Sequence, residues 1–256
     1  MDEQSDQTQK VTKIKRIDSS LFTPIAIVIA GGLIAGSVYL SLGKTSAPQP
    51  TLANNQAQQA APAQPTGDLG SMQPVTVDDH IRGNPDAPIK IVEYTDPECP
   101  FCKRFHETMV QVMDEYGKDG KVAWVYRHFP LDQLHPKART ESVAIECAGD
   151  QGGTGAFWKY ADRLYEITPS NNKLDLAELP NIAKYVGLDV QKFNACLKSG
   201  KFDTHVEGDV QNAIATGGRG TPWSILVVPN TPALPINGAQ PFEAVKQLIL
   251  TALKKL

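Results

Sequence analysis

The chain has 256 residues, 41% of them hydrophobic, enough to bury one sizeable core and a smaller subdomain. Its 25 basic and 28 acidic residues leave a net charge of −3 without an extended Lys/Arg run downstream of residue 75. That balance gives no electrostatic footprint for nucleic acid and leaves a single domain of catalytic size as the expectation.

Residues 1–20 lead into an uncharged apolar stretch, LFTPIAIVIAGGLIAGSVYLSL, residues 21–42. As a helix it extends roughly 33 Å at about 1.5 Å per residue, enough to span a bilayer. A cleaved signal peptide is the competing reading, but its apolar region runs only about 7–15 residues, so an anchor is expected. Lys10, Lys13, Lys15 and Arg16 precede the span, and Lys44 is the only basic residue between it and Arg82. This asymmetry places the N-terminus in the cytoplasm. Gly32 and Gly36 have the spacing that lets two helices approach closely, but glycine is common in membrane helices and no dimer is assigned. Residues 43–73 are rich in Ala, Gln and Pro and too poor in large apolar side chains to fold alone. They read as a flexible linker with an end-to-end distance of roughly 30 Å. From about residue 75 the chain then lies outside the cytoplasm, where disulfides form and persist.

Cys99 and Cys102 stand in TDPECPFCKRF, residues 95–105. Such a pair can clamp a metal, form a structural bridge or act as a reactive dithiol. A structural zinc site takes four ligands, commonly as two close pairs. Here Cys147 and Cys196 stand far from the pair and from each other. His106 alone completes only a partial set and is expected on the polar face of the following helix, so no metal is assigned. A passive bridge closing so short a ring constrains little of the unfolded chain.

The flanks favour redox chemistry. IKIVEYTD, residues 89–96, reads as a buried strand, and Phe105, Met109, Val112, Met113 and Tyr116 recur at helical spacing after it. Cys99 thus falls at a strand-to-helix junction with Pro100 at the first helical position, where its missing N–H is harmless. As N-cap, Cys99 faces unpaired backbone N–H groups and the positive end of the helix dipole, which favours thiolate over thiol. Cys102, one turn further, is expected to be less exposed and to resolve a mixed disulfide formed at Cys99. Asp96 and Glu98 are placed in the turn, where their charge opposes that thiolate.

Further along, KVAWVYRHFPL, residues 121–131, reads as a second strand, and the periodicity from about residue 137 to 200 as several short helices. GGRGTPWSILVVPN, residues 217–230, reads as a glycine loop, a Thr221-Pro222 step and a β-rich run, followed by a short strand and a closing amphipathic helix. The expected α/β order is β-α-β, helices, β-β-α. GDQGGTGAF, residues 149–157, lacks both the lysine and the preceding strand of a phosphate-binding loop and is read as an interhelical turn. His128, His135, Trp124 and Trp158 are read as packing or surface groups.

CPFC after a strand, RHFPL and HPKA within residues 127–138, AIECAGDQG at residues 144–152 and GTPWSILV before the last hairpin together resemble a known family. It is that of the membrane-anchored DsbA-like thiol-disulfide oxidoreductases of bacteria, the DsbA/BdbD type, and the resemblance covers about residues 75–256. It implies a thioredoxin-like fold with an inserted helical domain at about residues 137–205, preceded by one N-terminal transmembrane helix. It also implies that Pro222 is a cis-proline facing the dithiol and that Thr221 offers its backbone to bound substrate. Phe101 and Trp223 are expected to complete the apolar groove with them. Glu93, six residues before Cys99, matches a buried acid that exchanges a proton with Cys102. The residue itself leaves open a glutamate whose head reaches solvent at a strand edge. Strongly oxidising relatives carry histidine between the cysteines where this chain has Phe101. Cys99 is therefore expected to be less acidic than theirs and its disulfide a milder oxidant.

Cys147 and Cys196 both fall in the expected insert, and some relatives have such a pair. In an oxidising compartment they form a structural disulfide, worth roughly 4 kcal/mol on the chain-entropy account, or remain two buried free thiols. The function read from the whole is disulfide exchange with reduced exported polypeptides, without a bound cofactor. A DsbB- or VKOR-type quinone-linked membrane partner is implied for reoxidation. Two alternatives stay open: an isomerase or reductase kept reduced by a membrane electron donor, and a binding module with a structural Cys99–Cys102 bridge.

Overall fold

The computed structural model describes residues 67–256. The expected cytoplasmic tail, membrane span and residues 43–66 of the linker lie outside the described residues. Among the described residues no helix is long and apolar enough to cross a membrane.

Five strands form one sheet in the order β1-β3-β2-β4-β5. They are β1 (His80–Arg82), β2 (Ile89–Thr95), β3 (Val122–His128), β4 (Trp223–Val227) and β5 (Leu234–Asn237). β2 runs parallel to β3 and antiparallel to β4, so Glu93 has Tyr126 on one side and Ser224 on the other. Strands enclosed on both sides and both faces need near-continuous apolar runs, which IKIVEYT and VAWVYRH supply. The edge strand β5 carries Pro235, a residue sheets accept at edges because it has no N–H to donate. β1 is too short for any periodicity and was not expected from the sequence.

Strand alternation divides the core. One face carries Ile89, Ile91, Trp124, Tyr126 and Leu226 and is covered by α1 (Pro100–Val112), α2 (Ala138–Ile167) and α6 (Phe242–Leu253). The other carries Val92, Tyr94, Val125, Trp223 and Ile225 under Val210 and Ala213 of α5 (Asp203–Ala215). In α1 the spacing reading holds: Phe105, Met109 and Val112 are all fully buried. The helix widens into a π turn at Met113–Gly117, which still buries Met113 and Tyr116.

α2, α3 (Leu179–Tyr185) and α4 (Val190–Leu197) form the helical insert, where Tyr160 stacks on Phe193 with ring centroids 5.4 Å apart. A disulfide joins Cys147 of α2 to Cys196 of α4. The glycine-rich stretch read as an interhelical turn falls within the α2 range, where two helical segments meet across a kink at Gly153 with φ 69° and ψ −172°, as that reading expects. Only glycine takes that backbone without strain. α5 begins within the range read as insert but packs on β2 and β3 as part of the sheet layer.

Residues 67–73, the end of the stretch read as a linker, are seated on this layer. The Asp68 N–H donates to Ala215 O at 2.9 Å, and Asn212 donates to Ser71 O at 2.8 Å. Arg127, buried under the arm, donates to Gln73 O, Pro74 O and Asp79.

Candidate active site

Cys99 is the N-cap of α1, with extended φ −78° and ψ 121°, and Pro100 follows at the helix start. The Cys99 thiol is directed at Thr221 O, 3.5 Å away. Its pKa is lowered to about 6, first by the hydrogen bond from Cys102, with the Cys102 and Phe101 N–H groups adding to it against the cost of burial. Thr221 Oγ1, buried without another partner, is placed to turn toward the thiolate. Cys102 is wholly buried and receives the Asp96 N–H at 3.4 Å. Burial, then the neighbouring Cys99, pushes its thiol well above the ordinary range. The two thiols are thus split into an acidic one at the helix start, 4% exposed, and a wholly enclosed one that holds its proton.

Glu93 lies on the sheet face covered by α1 and is only 1% exposed, so the solvent-reaching alternative does not hold. Trp124 Nε1 donates to Glu93 Oε2 at 2.8 Å. Burial raises the carboxyl to about 8, with the Thr95 and Trp124 hydrogen bonds acting against it. At neutral pH it carries a proton and stands among the groups that sense Cys102.

The Thr221–Pro222 peptide bond is cis, and Pro222 is buried, its carbonyl accepting the Gly238 N–H at 3.1 Å. Phe101 projects from the start of α1, 54% exposed, with the Arg104 guanidinium over its ring at 5.2 Å. Trp223 does not join them. It is 8% exposed, belongs to the opposite face of the sheet and donates its indole N–H to Thr216 Oγ1 at 3.0 Å. Its place next to Pro222 in sequence is undone by strand alternation, which turns it away from the dithiol.

Several polar residues around the dithiol escaped the sequence reading. Asp96 and Glu98 are in the turn as expected, but both are fully buried. Asp96 accepts from Leu131 N–H, His135 Nδ1 and Glu98 N–H, each at 2.8 Å. His106 is likewise buried rather than on a polar face: its Nε2 lies 2.8 Å from Asp162, its ring stacks on Tyr165, and burial lowers its pKa. His128 and His80 meet the buried Glu146 at 2.8 and 3.1 Å. These pairs join residues from 18 to 66 positions apart, and no spacing rule links them. Among the described residues no His, Cys, Asp and Glu side chains are grouped to hold a metal ion.

A strand–helix–strand unit carrying a CxxC at the helix start, opposite a cis-proline loop that opens a β-hairpin, defines a thioredoxin-class dithiol site. The chain belongs to the family described as Thioredoxin, which matches residues 75–248. Its fold is similar to that of Wolbachia pipientis alpha-DsbA1, with TM-score 0.63 and 21% identity over 73% of this chain and 96% of that one. It is also similar to Pseudomonas aeruginosa DsbA2, with TM-score 0.57 and 26% identity over 71% of this chain and 95% of that one. Among curated proteins, a Na(+)/H(+) antiporter NhaA 1 of Mycolicibacterium gilvum is 34% identical over 165 residues, 63% of this chain. The chain spans about a quarter of that antiporter's length, 25%.

Proposed function

We propose that the protein is an extracytoplasmic thiol-disulfide oxidoreductase that exchanges disulfides with exported polypeptides through its C-P-F-C dithiol. It is held in the cell membrane by residues 21–42 with the N-terminus in the cytoplasm. The observation that carries this reading is the unequal placement of the thiols: Cys99 caps the start of α1 with its thiol beside Thr221 O, and Cys102 lies wholly buried one turn on. A passive bridge has no use for such a difference. An exchange catalyst needs one thiolate to leave and attack while the other keeps its proton.

In the oxidising direction a substrate thiolate attacks Cys99 Sγ of the disulfide form, the Cys99–Cys102 bond breaks, and Cys102 departs as a thiolate. Glu93, protonated at neutral pH, supplies the proton that Cys102 takes up. A second substrate thiolate then attacks the substrate sulfur of the mixed disulfide and frees the Cys99 thiolate. The substrate has lost two electrons and the dithiol holds them. A quinone-linked membrane partner of the DsbB or VKOR type removes them and restores the disulfide. With Phe101 rather than histidine between the cysteines, the dithiol acts as a mild oxidant.

Thiol trapping of Cys99 and Cys102 in intact cells tests the direction. A pair found mainly oxidised supports the oxidase, and a pair found mainly reduced moves the reading to an isomerase or reductase fed by a membrane electron donor. A Cys99→Ser chain separates the remaining reading: an oxidoreductase loses turnover on a reduced, unfolded polypeptide, whereas a binding module keeps its hold on that polypeptide.

A further inference from the structure

Around the residue that precedes the nucleophile, the carboxyl oxygens outnumber their donors. Glu98, from the turn before α1, and Glu141, from the first turn of α2, are both fully buried. The Asn172 N–H donates to Glu98 Oε2, but Glu98 Oε1 and both oxygens of Glu141 have no donor, although the two carboxyls face each other. Two ionised carboxylates in contact and out of water repel and lose solvation. A single shared proton turns one into a donor and leaves the other an acceptor. Burial, and then Glu98, holds Glu141 up at about 9, which puts the proton there. The other charged or titratable groups facing Glu141 are Asp96, Lys137 and Tyr160. Asp96 is saturated by Leu131, His135 and Glu98, and Lys137 Nζ donates to Leu174 O at 2.6 Å.

What Glu98 holds is unusual backbone. Ser170, Asn171 and Asn172 follow one another with φ of 60°, 56° and 63°. Non-glycine residues in this left-handed region carry strain, and three in a row persist only where the surroundings over-determine them. Those surroundings are Glu98 O, which accepts the Asn171 N–H at 2.8 Å, Glu98 Oε2, and Leu134 O, which accepts from the Asn172 side chain at 2.8 Å.

We propose that Glu141 is a positioning residue of the dithiol site. A proton shared between Glu141 of the helical insert and Glu98 fixes the peptide ahead of Cys99 and pins the strained segment 170–172 beside it. Loss of that proton sets a second negative charge against Glu98, the residue ahead of Cys99, and loosens the pin. The effect on exchange rests on the function proposed above; the shared proton does not.

The test uses the reduced full-length chain and two readouts from about pH 5 to 10.5: the amide shifts of Asn171 and Asn172, and the rate of Cys99 alkylation by iodoacetamide. In the wild type both should show a step near pH 9 beyond the thiolate midpoint. Glu141→Gln, whose amide donates at every pH, should remove the step from both and keep the wild-type midpoint. Glu141→Leu, which donates nothing, should displace the Asn172 amide at every pH and slow Cys99 alkylation several-fold at neutral pH. A step that persists in Glu141→Gln, a wild type without one, or a Gln variant that behaves like the Leu variant would overturn the proposal. If Glu141→Leu does not fold, the comparison of wild type with Glu141→Gln decides alone. Neither readout needs a protein substrate, so a chain that shows the step but oxidises no polypeptide loses the exchange reading and keeps this one.

Discussion

The Cys99 thiol lies 3.5 Å from Thr221 O, a residue 122 positions later in the chain. The nucleophile therefore faces the peptide that precedes Pro222, and any extended substrate reaching Cys99 must run along that segment. Pro222 has no N–H to compete for the substrate backbone, and its ring restricts the loop. Pro222→Ala should leave the fold largely intact but slow the release of substrate, so mixed disulfides through Cys99 accumulate. Non-reducing gels of cells expressing the variant should show the adducts, and Cys99→Ser in the same background should abolish them. Adducts no more abundant than in wild type would mean that Pro222 does not guide release.

Alkylation of the reduced chain at a series of pH values, with each cysteine followed by peptide mass, should give Cys99 a midpoint near the value of about 6. Cys102, buried and shifted upward, should lag by more than an order of magnitude at neutral pH. Equal rates would remove the basis for naming Cys99 the nucleophile.

Glu93 links stability to pH. Its folded pKa of about 8 is above the unfolded value of 4.5, so its contribution is fully present below 4.5 and is lost as pH rises through about 8. For a fully buried group this amounts to on the order of 5 kcal/mol. Glu93→Gln, which keeps an acceptor for Trp124, should flatten the fall in urea-denaturation stability between about pH 5 and 9, while also slowing the exchange step in which Cys102 gains its proton. A pH profile unchanged by the substitution would show that Glu93 is ionised in the folded protein.

The Cys147–Cys196 bridge closes a loop of 49 positions between α2 and α4. Replacing both cysteines by alanine should lower unfolding free energy by roughly 2–4 kcal/mol, read as a lower urea midpoint. The Cys99 alkylation rate should change little, because the bridge lies in the insert and not at the start of α1.

Topology remains an expectation from the sequence, and protease added outside spheroplasts checks it. Cleavage within residues 43–66 should release a soluble domain that still alkylates at Cys99. A mature chain beginning near residue 47 in untreated cells would show that residues 21–42 are a cleaved leader.

Much of the site was readable locally. Cys99 becomes an N-cap because Pro100 and the apolar spacing of Phe105, Met109 and Val112 specify the helix and where it starts, and these are short-range properties. The continuous apolar character of residues 89–95 and 122–128 likewise announces enclosed strands. By itself, then, the sequence determined the strand–helix–strand unit and which cysteine caps the helix, while the facing Thr221–Pro222 segment came from the family resemblance. Only the tertiary structure decided who answers each buried polar group. Asp96 meets His135, Glu98 meets Glu141, Glu146 gathers histidines from β1 and β3, and His106 turns inward to Asp162. It also turned Trp223 to the far face, since a strand residue's side is set by register with its neighbours rather than by adjacency to Pro222. Periodicity records which face of an element leaves water; it carries no record of the distant partner that makes burying a charge or a hydrogen-bonding group tolerable.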